Sequence, residues 1–473
     1  MNRKKYIQPA FTLVLLLLAV TASNAKVRLP SIIGNNMVLQ QQSKAKLWGW
    51  AEIAKTVIIK TSWNNKSYHV KADRNGEWVM NVITPTAGGP YHISFNDGDC
   101  VTINNILIGE VWFCSGQSNM EMPLRGNSSP ILNANEIILN ADNSQLRLFN
   151  VGRATNLQPQ ATLKGQWDES NSEIARNFSA IAFQFGEMLQ KKLHVPVGII
   201  VSSVGGTMIE AWMSKNSLAD FPEIKIPANM DTVKHPYKIP AGLFNGMIAP
   251  LVGYNIKGFI WYQGESNRQE PKLYGKLFPI MVADWRKRWN MGELPFYFVQ
   301  IAPFGSTDTT RSGPLLREAQ LKAMNIVPNS GMASTMDVGM EKNIHYMDKT
   351  IPAHRLGYWA LGKTYGIKGI GYNAPLYKSM TIKGNQVTLD FYFANYLTSY
   401  EKPLTLFEIA GNDKIFYPAK ATIVGGSVIV QSDKVANPVA VRYAFKEFVV
   451  AELYNNDGLP ASSFRTDDWD NVR

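Results

Sequence analysis

From Lys26 to about Asn105, apolar and polar positions alternate in short runs such as KAKLWGWAEI, KTVIIKTSW, SYHVKAD, EWVMNV and YHISF, separated by Gly, Asn, Asp and Pro. A period of two places successive side chains on opposite faces of a strand, so residues 26–105 are predicted to form an antiparallel β-sandwich domain. From about Ile106 the rhythm changes. Apolar runs without alternation (ILIGEVWFCS, VPVGIIVSS, IKGFIWYQG, LPFYFVQIA and GMASTMDVG) are interleaved with stretches of helical spacing: SAIAFQFGEMLQKKL, KLYGKLFPIMVADWRKRW, PLLREAQLKAMNI and TIPAHRLGYWALGKTYG. Strands that are apolar throughout are buried on both faces, so residues 106–370 read as an α/β domain with a parallel sheet sandwiched by helices. Beyond Gly371 the strand-and-turn pattern returns in QVTLDFY, PLTLFEIAG, SVIVQSD and AVRYAF, predicting a C-terminal β domain over 371–473.

The length of 473 residues agrees with several domains. Residues 1–25 carry Arg3, Lys4 and Lys5, an apolar block from Phe11 to Val20 and small residues up to Ala25. This is the pattern of a removable export signal, and a block of about ten residues is too short to span a bilayer. The mature chain is therefore expected to start near Lys26, to be exported to the periplasm or the medium, and to contain no integral membrane segment. Its formal charge of +11 falls to +8 when the three bases Arg3, Lys4 and Lys5 leave. The remaining bases are scattered and not interleaved with aromatics, which argues against a nucleic-acid partner. Cys100 and Cys114 are the only cysteines, so there is neither a disulfide framework nor a cysteine metal motif; they pair with each other or stay free.

In an open parallel sheet, ligands bind outside the carboxyl ends of the strands. Four polar turns follow central strands and should converge there: SGQSNM at 115–120, SSVGGTMIEAW at 202–212, WYQGESN at 261–267 and MDVGMEKNIHYMDK at 336–349. A lone serine in a turn is most simply a cap; with the other three turns beside it, Ser118 becomes a candidate nucleophile. Its base is sought among six histidines. His69 and His92 fall in the N-terminal β region, His194 at a helix end, His235 in a proline-flanked loop and His354 inside a helix. His345 alone sits in a loop that follows a central strand. An ester's tetrahedral intermediate needs donors aimed at its oxyanion. The candidates are the N–H groups of Ser118, Gly205 and Gly206 and the amide of Gln263. Arg125, just past the nucleophile turn, is a candidate partner for a substrate carboxylate.

Together these motifs resemble the sialate O-acetylesterase family within the SGNH-type hydrolases. The match extends to the N-terminal LPSIIGNNMVLQQ and the C-terminal LFEIAG, AVRYAF and LYNNDGLPASSFRTD, so it covers nearly the whole mature chain. The resemblance implies a flavodoxin-like, SGNH-type esterase domain flanked by β domains. It also implies a metal-independent serine mechanism with no cofactor, and an O-acetylated sialoglycan as substrate. Acetylated xylan and other acetylated carbohydrates are the alternatives, and a carbohydrate-binding protein without catalysis is the second. The chain departs from the pattern beside the histidine. Lys342 stands three residues before His345, where many of these hydrolases have Asp, Asn343 two before, and Tyr346 after it. The third triad member is therefore Asp337 as first candidate, Glu341 as second, or absent, with a backbone carbonyl orienting the imidazole.

Overall fold

The computed structural model describes residues 26–305 and 312–469. The export signal expected over residues 1–25 lies outside the described residues. The spine of the molecule is a 17-residue strand, β1 (Cys100–Gly116), buried without interruption from Ile106 to Gly116. Its first part pairs antiparallel with the N-terminal strand Gly88–Asn96 and parallel with Val38–Gln40. Its second part, Glu110–Gly116, is the centre of a parallel sheet. The boundary expected near residue 105 thus falls inside one continuous strand, with no linker between the two regions.

That sheet continues with β2 (Asn143–Asn150), β3 (Trp167–Ser170), β4 (Val197–Ser203), β5 (Gly258–Tyr262), β6 (Phe296–Val299) and β7 (Ser330–Ala333). The spatial order is β7-β6-β5-β1-β4-β2-β3. All neighbours are parallel except the edge pair β2–β3. Leaving out that edge pair, the strands run 2-1-3-4-5 in chain order, one of the two common doubly wound arrangements. The helices that bear on the site and the cores are α1 (Ser118–Glu121), α2 (Ala180–Leu193), α3 (Pro271–Trp289), α4 (Ser312–Ile326) and α5 (Thr350–Trp359); two short helices, Ala134–Leu139 and Ser172–Asn177, flank β2 and β3. Ser179 starts α2 by accepting a hydrogen bond from the Ala182 N–H at 3.2 Å, the usual work of an N-cap serine.

Alternate residues of β1 feed two separate cores. Trp112 and Cys114 pack with Phe183 and Phe185 of α2 and Leu356 of α5. Val111 and Phe113 pack with Trp285 and Trp289 of α3 and Leu316 of α4. Helices therefore cover both faces, which is why β1, β4, β5 and β6 read as unbroken apolar runs. The second core runs on into the N-terminal region through Val38, Leu47, Val57 and Phe95. In that region Lys44–Trp50 pairs with Glu77–Ile83, and Thr56–Thr61 pairs with Ser67–Lys71 and Gly88–Asn96. The C-terminal region forms two four-stranded antiparallel sheets around a core of Val387, Leu389, Val428, Phe407 and Tyr443.

One detail answers a question left open by the sequence. Cys100 is exposed, Cys114 is buried, and both are free. They lie 14 residues apart on one strand; at about 3.3 Å per residue this is roughly 40 Å or more, far beyond the ~6 Å a disulfide spans. Among the described residues, no helix is long and apolar enough to cross a membrane.

Candidate active site

The carboxyl ends of β1, β4 and β5 and the segment after β7 meet at one edge. β1 ends on Gly116, whose φ is +141°; a Cβ here would lie 2.0 Å from the Tyr262 carbonyl oxygen, so only glycine lets the chain turn this close to β5. Gln117 then ties the first turn to the third. Its N–H donates to Tyr262 O at 2.9 Å, and its Oε1 accepts from the N–H groups of Gly264 and Ser266 at 3.3 and 3.2 Å. Ser118, the first residue of α1, is held at the mouth of this frame.

The structure brings Ser118 and His345 together: Oγ and Nε2 are 2.9 Å apart. The histidine loop is fastened at four successive residues. Asn119 Nδ2 donates to Ile344 O at 3.2 Å, and the His345 N–H donates to Asn343 Oδ1 at 2.9 Å. The Tyr262 and Tyr346 hydroxyls lie 3.0 Å apart, and the Leu132 N–H donates to Met347 O at 3.1 Å. Burial, and then the neighbouring Lys349 cation, push the His345 pKa below its ordinary value. Both effects favour the neutral imidazole that a base requires.

The other ring nitrogen has a partner that the sequence did not reveal. His345 Nδ1 lies 3.0 Å from Ser128 Oγ, and Ser128 Oγ lies 3.0 Å from Asn127 Oδ1. With the hydroxyl donating to Asn127, Ser128 accepts from Nδ1–H, and the Nε2 lone pair faces Ser118. Asp337, the first candidate for this place, is elsewhere. Both its oxygens are held at 2.7 Å by the Arg355 guanidinium, in an ion pair largely shielded from water. Arg355 also donates to the Ser334 carbonyl, so the pair fastens the end of β7 to α5. Glu341 is exposed. Only geometry finds Ser128, because it lies in the GNSSP loop between α1 and β2, 217 residues from its partner.

The oxyanion candidates separate into two groups. No acceptor among the described residues takes the N–H of Ser118 or of Gly206. The Gly205 N–H, by contrast, donates to Glu121 Oε2 at 2.8 Å. Gly205 packs directly on the nucleophile, since a Cβ there would lie 3.2 Å from Ser118 Cβ and 3.1 Å from Glu121 Oε2. Gln263 is fully buried, and its amide N–H groups are engaged with Thr207 O at 3.1 Å and Asn267 Oδ1 at 2.6 Å. Its side-chain amide therefore has no free donor for an oxyanion; it fastens the second turn to the third. Arg125 is exposed, with its backbone N–H held by the Arg176 carbonyl.

Behind the pair lies a buried polar chain. Asn119 Nδ2 donates to Glu265 Oε1 at 2.5 Å, and Lys349 Nζ donates to Asn119 Oδ1 at 2.7 Å while lying 3.7 Å from the centre of the Tyr346 ring. Desolvation raises the Glu265 pKa and lowers that of Lys349 to about 7. Among the described residues, no group of three or more His, Cys, Asp or Glu side chains is arranged to hold a metal ion.

A serine at the strand end, a histidine in contact with it whose surroundings favour the neutral imidazole, and free backbone donors form the apparatus of acyl transfer. Comparison with known proteins agrees with this chemistry. Residues 108–360 match the family described as carbohydrate esterase, sialic acid-specific acetylesterase. The chain is 30% identical to human sialate O-acetylesterase, over 96% of this chain and 95% of the relative, and equally similar to the protein of Pongo abelii. The crystal structure of a carbohydrate acetylesterase from Xanthomonas citri superposes with a TM-score of 0.86 at 36% identity, covering 94% of this chain and 100% of that one. The chain belongs to the carbohydrate esterase family of sialic acid-specific acetylesterases, and is a carboxylic ester hydrolase.

Proposed function

We propose that this protein is an exported serine esterase that removes O-acetyl groups from sialic acids, through an acetyl-enzyme on Ser118 in an SGNH-type α/β domain. The observation that carries the reading is the 2.9 Å contact between Ser118 Oγ and His345 Nε2 at the carboxyl edge of the sheet. Family membership and the names of the curated relatives supply the sugar. The 2-1-3-4-5 order of the five strands around the site supports the domain type. The basic, apolar and small-residue succession of residues 1–25 supports export.

Ser118 Oγ attacks the acetyl carbonyl carbon while His345 Nε2 takes the hydroxyl proton. The imidazolium keeps its orientation through Nδ1–H to Ser128 Oγ, so a hydroxyl stands where a triad would place a carboxylate. The N–H groups of Ser118 and Gly206 receive the oxyanion. As the intermediate collapses, the bond from the acetyl carbon to the sugar oxygen breaks, and His345 returns its proton to that oxygen. Water, deprotonated by the same nitrogen, then cleaves the acetyl-serine and releases acetate.

The test is acetate release from 9-O-acetylated sialic acid and from acetylated xylan, by the wild-type chain and by Ser118→Ala. Release from the sialic acid should drop by at least ~10³-fold in the variant. Release unaffected by Ser118→Ala would overturn the site, and release from xylan alone would move the substrate while keeping the mechanism.

A further inference from the structure

Beside the nucleophile stands an arginine that the hydrolytic steps do not use. Arg153 follows β2 at the carboxyl edge of the sheet, and its side chain is 54% exposed. Its Nε and Nη2 donate to Glu121 Oε1 at 2.9 and 2.5 Å, while the other oxygen of Glu121 takes the Gly205 N–H at 2.8 Å. Glu121 lies three residues after Ser118 on α1, and Gly205 packs on Ser118 itself. One unbroken chain therefore links an outward-facing guanidinium, a carboxylate, the second turn and the nucleophile.

A guanidinium has two edges that can each grip a carboxylate with paired N–H groups. In Arg153 the edge formed by Nε and Nη2 is held by Glu121, and the edge that includes Nη1 has no acceptor among the described residues. Glu121, which reaches Ser118 through Gly205, thus fixes the plane of the guanidinium and leaves the other edge of this half-exposed side chain free. This orientation reduces the side-chain entropy lost on binding, which an unanchored arginine has to give up in full. Arg125, the candidate that the sequence singles out, is exposed, and no carboxylate among the described residues anchors its side chain.

We infer that Arg153 is the specificity-determining residue that reads the carboxylate of an acidic O-acetylated sugar, with Glu121 as its positioning residue. The inference rests on the sialate reading given above. It explains how one surface arginine can favour an acidic sugar over a neutral acetylated one: the substrate carboxylate docks on the open edge while the acetyl group enters between Ser118 and the Gly206 N–H.

The experiment measures kcat/KM for an O-acetylated sialic acid and for its carboxyl methyl ester, which keeps the acetyl group and removes the charge. The wild-type chain should prefer the free acid by roughly 10- to 100-fold, as expected of a charge-assisted pair of hydrogen bonds. In Arg153→Met that ratio should fall to about one, and Arg153→Lys should restore part of it. Arg125→Met should keep the wild-type ratio. Equal losses on both substrates in Arg153→Met would mark a structural role and overturn the assignment, as would an unchanged ratio or a collapse in Arg125→Met instead. A wild-type chain that cleaves neutral acetylated sugars and neither form of the sialate would overturn the substrate reading itself.

Discussion

At the scale of the residue, the decisive substitution is a hydroxyl for an acid. Ser128 accepts one hydrogen bond from His345 where a carboxylate would also stabilise the imidazolium by charge. A neutral hydrogen bond contributes on the order of 1 kcal/mol, so Ser128→Ala should lower kcat by about fivefold, far less than loss of a triad carboxylate does. Assays with 4-nitrophenyl acetate will read this directly. Asp337 should behave in the opposite way. Its removal leaves Arg355 unpaired in a nearly buried setting, so Asp337→Ala should cost about 3–5 kcal/mol of stability in denaturant titrations while kcat of the folded protein stays within about threefold. The loss of kcat with intact stability expected of a triad member would return Asp337 to the site. The charge of Lys349 supplies the third residue-level prediction. Burial and then the Lys349 cation hold the His345 pKa below that of an ordinary imidazole, so kcat/KM holds as pH falls and declines only when the imidazole takes a proton. Lys349 titrates at about 7, so its cation repels that proton in the acid range. Lys349→Met should therefore move the acid limb to higher pH in a profile normalised to its own plateau. A limb that stayed in place would show that burial alone sets the shift.

At the scale of the element, legibility followed burial. The helices Ala180–Leu193 and Pro271–Trp289, the strands β4, β5 and β6, and β1 from Ile106 onward stand where apolar period and turn residues predict them. β2 and β3 escaped because their sequences, NSQLRLFN and WDES, are polar. The Arg147 side chain is buried in β2, where the Ser144 carbonyl and Asn105 take its Nε and Nη2 donors and the Glu169 carboxylate lies 3.3 Å from Nη1. The four polar turns do meet at one edge. Which of their atoms remain free there could not be read from spacing. Gly205 and Gln263 were expected as donors, yet their N–H groups are held by Glu121, Thr207 and Asn267. Such engagement depends on side-chain directions across three loops, and Ser128 reaches His345 across 217 residues of chain.

At the scale of the whole molecule, the N-terminal region is continuous with the rest. Residues 38, 47, 57 and 95 share an apolar core with α3 and α4, and β1 belongs to both regions. A chain starting at residue 106 would lose both the strands that pair with the first part of β1 and one wall of that core. We expect it to be insoluble or to lack a cooperative thermal transition, as checked by circular dichroism against the chain starting at Lys26. A soluble, active fragment would show that the shared core is dispensable.

The unbroken strand also limits recombination. Ser118 stands two residues beyond the end of β1, so its height above the sheet is counted from the same backbone that pairs with the N-terminal strands. A one-residue slip there would turn every side chain from Val111 to Gly116 to the opposite face. Swapping this region for a β domain from another source is therefore an exercise in splicing a rigid beam. A graft will keep the nucleophile in place only if its last strand enters at Glu110 in the same phase.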